Sequence, residues 1–269
     1  MANSKWQISD ELWEKMAPLI PEHKTQHPLG THRKRVDNRA AMNAIFFVLR
    51  TGCQWNALNA TGICSSSSAH RRFQEWTAAG VFERFWQNGL LESEALSCID
   101  WSWLSLDGCM TKAPLAGTKK TGRNPTDRGK QGSKRSLLTD ANGLPLSCVI
   151  ASANIHDITL VKQTLDALET GKPGARLHLC LDNGYKANWL ESELKARRYI
   201  PHIQGRKAES DALKKEPGMK ARRWVVERTH SWLNRYRRLL VRWEKKAENY
   251  EAMLHFACGL IVWNKLLLR

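Results

Sequence analysis

"KRSLLTDANGLPLSCVIAS", residues 134–152, holds two apolar runs joined through Asn142-Gly143. Asn-Gly accepts the positive backbone angles of a tight two-residue turn, so the stretch predicts a β-hairpin. Upstream, "WSWLSLDGC" (101–109) has the period of two expected of a strand. Downstream, "HDITLVKQTLDALET" (156–170) predicts a helix capped by Asp157 and stopped by Gly171. An apolar strand that ends in an acid follows, "ARLHLCLD" (175–182), then a turn at Gly184, a helix around "ANWLESELKARR" (187–198) and a short strand "YIPHI" (199–203). Two helices complete the chain, "RRWVVERTHSWLNRYRR" (222–238) and "ENYEAMLHFACGLIVWNKLLL" (248–268). Strand, hairpin, helix, strand, helix, strand, helix predicts an α/β fold with one mixed sheet and helices packed against it.

The first hundred residues read differently. Residues 8–19 predict a short helix that Ser9 or Asp10 can cap, and residues 38–51 a second, with Asn38 able to cap it and Gly52 ending it. The stretch 65–91 breaks at Gly80 into two amphipathic helices, with Phe73, Trp76, Val81, Phe82, Phe85 and Trp86 on their apolar faces. The expected organisation is a small all-α, helix-turn-helix-like domain over 1–98 and a mixed α/β domain over 99–269. His70, Arg71, Gln74 and Glu75 would then face outward on the candidate reading helix, with Arg71 and Arg72 as its DNA contacts.

Composition narrows the function. The 269 residues carry 42 Lys and Arg against 26 Asp and Glu, a formal net charge of +16. Residues 1–100 hold 11 basic and 10 acidic side chains, so nearly the whole excess lies beyond them. It concentrates in 112–135, with eight basic residues and one acid, and in 206–246, with fourteen and five. Such bias points to a polyanion, whose counterions Lys and Arg displace; a merely solubilising surface would not spare the first hundred residues. The loop "GRNPTDRGKQGSKR" (122–135) reads as a DNA-gripping element. Candidate phosphate contacts are Lys119, Lys120, Arg123, Lys130, Lys134 and Arg135, then Lys220, Arg223, Arg228, Asn234, Arg235 and Arg238. The longest early apolar run, "AIFFVL" (44–49), is far short of a membrane span. Nothing near the start reads as a signal peptide, and seven cysteines without a CxxC pair fit reduced thiols. A cytoplasmic, nucleoid-associated protein without a membrane partner is the expectation.

Three acids stand out against this basic background. Asp107 follows the apolar run of the first strand, and Asp182 ends a later one. A carboxylate at the end of a buried strand must reach solvent or find a partner. If the two strands are neighbours, the acids converge where open sheets assemble their sites. Two close carboxylates repel unless a divalent cation sits between them, and Mg²⁺ prefers such hard oxygens. Glu227 is the third. At 100° per residue, Trp232, Tyr236, Leu239 and Trp243 fall within about 40° of Val225, while Glu227 lies about 160° away beside Arg223, Asn234 and Arg238. Glu227 could also be a mere intrahelical partner for arginine. His156-Asp157 is either a site pair or a helix cap.

These pieces resemble the DDE transposases of bacterial insertion sequences, in the insertion-sequence four/five group, over nearly the whole chain. The resemblance runs through "LDGCMTKAP", the basic loop and hairpin, "ANIHD", "LCLDNGY" and "RRWVVERTHSWLNRYRRLLVRWEK", with 75 residues from Asp107 to Asp182 and 45 more to Glu227. It implies a ribonuclease-H-like catalytic domain, with Asp107 on the first strand, Asp182 after the fourth and Glu227 on a later helix. It also implies that Asp107, Asp182 and Glu227 are catalytic and hold two Mg²⁺, with Mn²⁺ able to substitute. The implied partners are double-stranded DNA, as transposon ends and target, and a second copy of the chain in the synaptic complex. The group's Tyr, Arg, Glu, Lys signature is matched by Arg223 and Glu227, whereas Lys220 occupies the tyrosine slot and Asn234 the lysine slot. A nuclease of the same fold without strand transfer, or a DNA-binding relative without chemistry, are the other readings these residues allow.

Overall fold

The computed structural model describes residues 6–23, 35–170, 174–204 and 222–268. The first four helices are α1 (Asp10–Met16), α2 (Asn38–Thr51), α3 (Ser66–Ala78) and α4 (Val81–Ala95). Ser9 caps α1 as expected. The cap of α2 is Asp37 rather than Asn38: its Oδ2 accepts from the Ala40 amide at 3.0 Å, because a carboxylate one residue earlier has the better reach. Gly52 (φ +72°) and Gly80 (φ +67°) end α2 and separate α3 from α4 as read.

The sheet follows. Its strands are β1 (Trp103–Lys112), β2 (Gly122–Arg123), β3 (Gln131–Thr139), β4 (Pro145–Ser152), β5 (Leu177–Asp182) and β6 (Tyr199–Gln204). The helices α5 (Asp157–Asp166), α6 (Asn188–Ala196), α7 (Trp224–Asn234) and α8 (Ala247–Leu267) complete the chain. β1 pairs antiparallel with β3, which pairs antiparallel with β4; on its other side β1 runs parallel to β5, and β5 to β6. The two-residue β2, not anticipated from the sequence, shares the outer edge of β3 with β4. This is a mixed α/β fold with the strand and helix order expected of a ribonuclease-H-like domain.

The hairpin turn is built by an acid. Asp140 Oδ1 accepts from the amides of Asn142 (2.9 Å) and Leu144 (2.7 Å), and its Oδ2 accepts from Asp100 (3.0 Å). Buried carboxylates are tolerated when backbone amides saturate them in this way.

The apolar core runs without a break from the helical segment into the sheet layer. Phe82 packs on Phe256 and Phe85 on Trp263, so α4 lies along α8. Trp263 Nε1 donates to the Phe85 carbonyl at 2.8 Å, and Trp86 Nε1 to that of Pro145 at 3.0 Å. Each such aromatic contributes roughly 2–3 kcal/mol by burial, so the N-terminal helices brace α8 and, through Trp86, the start of β4. Among the described residues no helix is long and apolar enough to cross a membrane.

One expectation fails here. α7 stops at Asn234, and a 3-10 turn follows at Arg237–Leu239. Tyr236 and Leu239 are buried from that turn, and Trp243 is exposed, so no single aromatic stripe runs from Val225 to Trp243.

Candidate active site

The parallel register of β1 and β5 pairs Leu104 with Leu179 and Ser105 with Cys180. Two residues further along each strand stand Asp107 and Asp182, at the same end of the sheet. Alternation puts both acids on the side of their strands that Ser105 and Cys180 share. The Asp107 carboxyl is pushed up to about 6, chiefly by burial, with the negative charges of Asp157, Glu227 and Asp182 acting in the same direction. A backbone hydrogen bond from Gly108 opposes the rise without cancelling it. Asp182 is half-buried, and its Oδ1 accepts from the Asn183 amide at 2.6 Å.

Glu227 is carried to this end by α7, which is pinned at three places. Ser105 Oγ donates to the Arg222 carbonyl (2.9 Å), Thr229 Oγ1 to that of Gly143 (2.7 Å), and Arg228 Nη2 to that of Asn142 (2.8 Å). Gly143 has φ +81°, and a side chain on it would run into Thr229, so the Asn-Gly turn also forms the seat of the helix. Arg228 lies between the rings of Trp224 (4.5 Å) and Trp232 (4.7 Å). Glu227 itself is paired with Arg223, one turn earlier on the same face, as the helical geometry predicts. His230, buried on the next turn against the Asp107 backbone, is held neutral, its pKa lowered to about 3 first by burial and then by the charge of Arg135.

The basic side chains divide sharply. Arg71, Arg123, Lys130 and Arg235 stand exposed. Arg72, Lys134, Arg135 and Arg238 do not, which corrects their reading as DNA contacts. Arg135 is 1 % exposed and donates from Nη2 to Asn234 Oδ1 at 2.6 Å, so Asn234 too is committed to the interior. Arg72 donates to the Val36 carbonyl (2.9 Å), Arg238 to Glu244 (2.6 Å), and Lys134 to Asp157 (3.0 Å) and the Ile155 carbonyl (2.7 Å). Lys119 and Lys120 are paired with Glu248 and Glu251. On α3, His70 and Arg71 face outward, while Glu75 is paired with Arg35. Lys220 lies outside the described residues.

Two further neighbours stand beside the acids. The sequence predicts Asp157 as the cap of α5 or as half of a site pair with His156; the cap is His156, and Asp157 is the first residue of the helix. Tyr185, in the turn after Asp182, is buried with its hydroxyl without a hydrogen-bond partner, and the charges of Asp107, Asp157 and Asp182 press its pKa upward after burial. A phenol three residues beyond a strand-end acid was the available signal.

Among the described residues, no three acid, histidine or cysteine side chains stand close enough together to hold a metal ion as they are placed. The chemistry of the set nonetheless suits a hard divalent cation. The donors are all carboxylate oxygens, and the raised Asp107 reports uncompensated negative charge around it.

Comparison with known proteins identifies the family. A family model of the transposase DDE domain matches residues 100–262, and one of IS4/5-family transposases (DUF4096) matches residues 8–86. A Burkholderia cepacia protein assigned as the transposase of insertion sequence element IS402 is 40% identical over 156 residues, which is 56% of this chain and 72% of that protein. An uncharacterized 16.2 kDa protein of the same element and organism is 39% identical over 119 residues, 44% of this chain and 80% of its own length. A solved structure of the Mos1 mariner paired end complex with Mn aligns over 89% of this chain and 82% of its own at 12% identity; at a TM-score of 0.31 the likeness is too distant to carry an argument. The match of the DDE domain over more than half of the sequence places this chain in the DDE transposase family, within its IS4/5 group.

Proposed function

We propose that this DNA transposase binds the inverted terminal repeats of its own element and cuts and rejoins DNA at Asp107, Asp182 and Glu227. What supports the reading is that Asp107 and Asp182 stand at matching positions of neighbouring parallel strands, and that burial, with the charges of Asp157, Glu227 and Asp182, raises Asp107 toward 6. Asp107, Asp182 and Glu227 would hold two Mg²⁺, with Mn²⁺ able to replace them. When bound, such ions activate the attacking oxygen and stabilise the leaving one in an in-line displacement.

The chain's own residues do the rest. Exposed Arg123 and Lys130 in the basic loop, with Arg71 and Arg235, supply phosphate contacts that hold the duplex without reading its sequence. Arg223, now on Glu227, has the planar fork that suits a phosphate beside the reacting bond. Buried His230 stays neutral and adds no charge behind Asp107. Water attacks phosphorus at the transposon end and the strand's 3′-oxygen leaves as a hydroxyl. That hydroxyl then attacks a target phosphodiester, so one bond breaks as each bond forms and no outside energy is consumed. Two copies of the chain would pair the two ends, and the chemistry belongs to the cytoplasm, where the DNA lies.

The test uses DNA flanking the gene, incubated with purified protein in Mg²⁺ or EDTA beside the Glu227→Gln variant. New 3′ ends at two inverted sequences, dependent on Mg²⁺ and missing in the variant, are the expected result. Joined products distinguish a transposase from a nuclease. Binding without cuts would contradict the catalytic assignment and favour a DNA-binding relative without chemistry.

A further inference from the structure

Asp157 has an oxygen that its structural contacts leave unused. As the first residue of α5 it could serve the helix terminus, but His156 already caps that end. As a partner for Lys134 it needs only one oxygen, and Lys134 takes only Oδ2, at 3.0 Å. The other oxygen, Oδ1, is buried and has no hydrogen-bond partner among the described residues. The side chain as a whole is partly exposed, so the buried, unpartnered oxygen is the one turned inward.

The direction of that oxygen is informative. It lies against Gly108, the residue after Asp107, and a methyl group at position 108 would overlap it. Gly108 does not have the positive φ that would require glycine, so space alone is at stake there. The tip of α5 also packs on the Asn183–Tyr185 turn that follows Asp182. A second orphan points the same way. Tyr185 is 3 % exposed, its hydroxyl has no partner, and it feels the charges of Asp107, Asp157 and Asp182 together. An unpaired acceptor and an unpaired donor therefore flank the two strand-end acids.

We propose that Asp157, anchored by Lys134, is a fourth acidic ligand of the divalent-cation site, presenting Oδ1 to the cation alongside Asp107. The inference rests on the reading given under Proposed function and adds a residue to it. Lys134 fixes the direction of the carboxylate, as supporting partners of metal ligands do, and Gly108 gives it access.

The test is Mn²⁺ binding to the full chain without DNA, followed by electron paramagnetic resonance of free Mn²⁺ and by the thermal shift Mn²⁺ produces. Asp157→Asn should weaken binding by about tenfold or more and remove most of the thermal shift. Because that change also strips Lys134 of its partner, Asp157→Asn combined with Lys134→Met is measured beside it. The pair should recover the stability lost by the single variant and still bind weakly, whereas Lys134→Met alone, which keeps the Asp157 carboxylate but not its anchor, should bind Mn²⁺ less tightly than the unaltered protein and more tightly than either Asp157 variant. Full Mn²⁺ affinity in the double variant would overturn the proposal and leave Asp157 as the counterion of Lys134. Failure of the unaltered protein to bind Mn²⁺ would instead overturn the metal site itself, and the two failures are distinct in the same titration.

Discussion

Two clusters of buried charge on the same sheet are treated in opposite ways. At the far end of β3, Arg242 is fully enclosed, and its guanidinium donates to Ser133 Oγ (2.7 Å), Thr121 Oγ1 (3.1 Å) and the carbonyls of Lys119, Lys120, Glu244 and Lys245. Every donor is used, and the 119–121 segment, β3 and the 244–245 segment are tied together. At the acidic end, Asp107 is held largely out of water beside three other carboxylates, while Asp157 Oδ1 and the Tyr185 hydroxyl lack partners. A saturated charge is an element of structure. An unsaturated cluster of one sign needs a counter-charge the chain does not supply, which under the proposed function is a divalent cation.

If this contrast is right, the largest effects come from the acidic end and touch function alone. Asp182→Ala or Glu227→Gln should lower strand cleavage by at least about a thousandfold and leave DNA binding nearly intact in a gel-shift titration. Loss of binding in parallel would mean these acids serve the fold. Arg242→Met should do the reverse. By leaving several buried carbonyls without a donor, it should cost about 3–5 kcal/mol in urea unfolding, as should breaking the enclosed Arg238–Glu244 pair with Glu244→Ala. An Arg242 variant of normal stability would blur the comparison. The smallest effects belong to the exposed cations. Arg123→Ala and Lys130→Ala should change stability by less than about 0.5 kcal/mol, while each lowers the slope of DNA affinity against salt by about one.

The sequence carried the sheet and its acids because each rests on a local signal. Asn142-Gly143 marks the hairpin, alternation marks β1, and an acid closing an apolar run marks Asp182. It could not sort the basic residues, since Arg135 and Arg123 are alike until β3 is paired on both sides and α7 closes over it. Burial of Arg135 depends on Asn234, 99 positions away. That contact also gives Asn234, in the family's lysine slot, a partner inside the protein. The end of α7 was missed for a similar reason: nothing between Asn234 and Tyr236 breaks a helix, and the turn at Arg237–Leu239 is fixed by tertiary contacts of Arg238 with Glu244 and the Cys53 carbonyl (3.0 Å). The cap of α5 fell to His156 rather than Asp157 because adjacent polar residues at a helix start offer the same local signal.

The most direct test of the contrast is the pH dependence of stability at Asp107. A carboxyl whose folded pKa is raised from 3.8 to about 6 binds its proton more tightly in the folded state, so its contribution to stability falls as pH rises from 4 to above 6. The neutral buried His230 and His255, lowered to about 3 and about 4, act in the opposite sense, since acid destabilises them. Comparing the unaltered protein with Asp107→Asn removes their effect. In EDTA, urea unfolding between pH 4 and pH 8 should show the variant gaining on the unaltered protein, by on the order of 3 kcal/mol at neutral pH. Mg²⁺ should erase or reverse that gain. A difference that stays flat with pH and ignores Mg²⁺ would contradict the account.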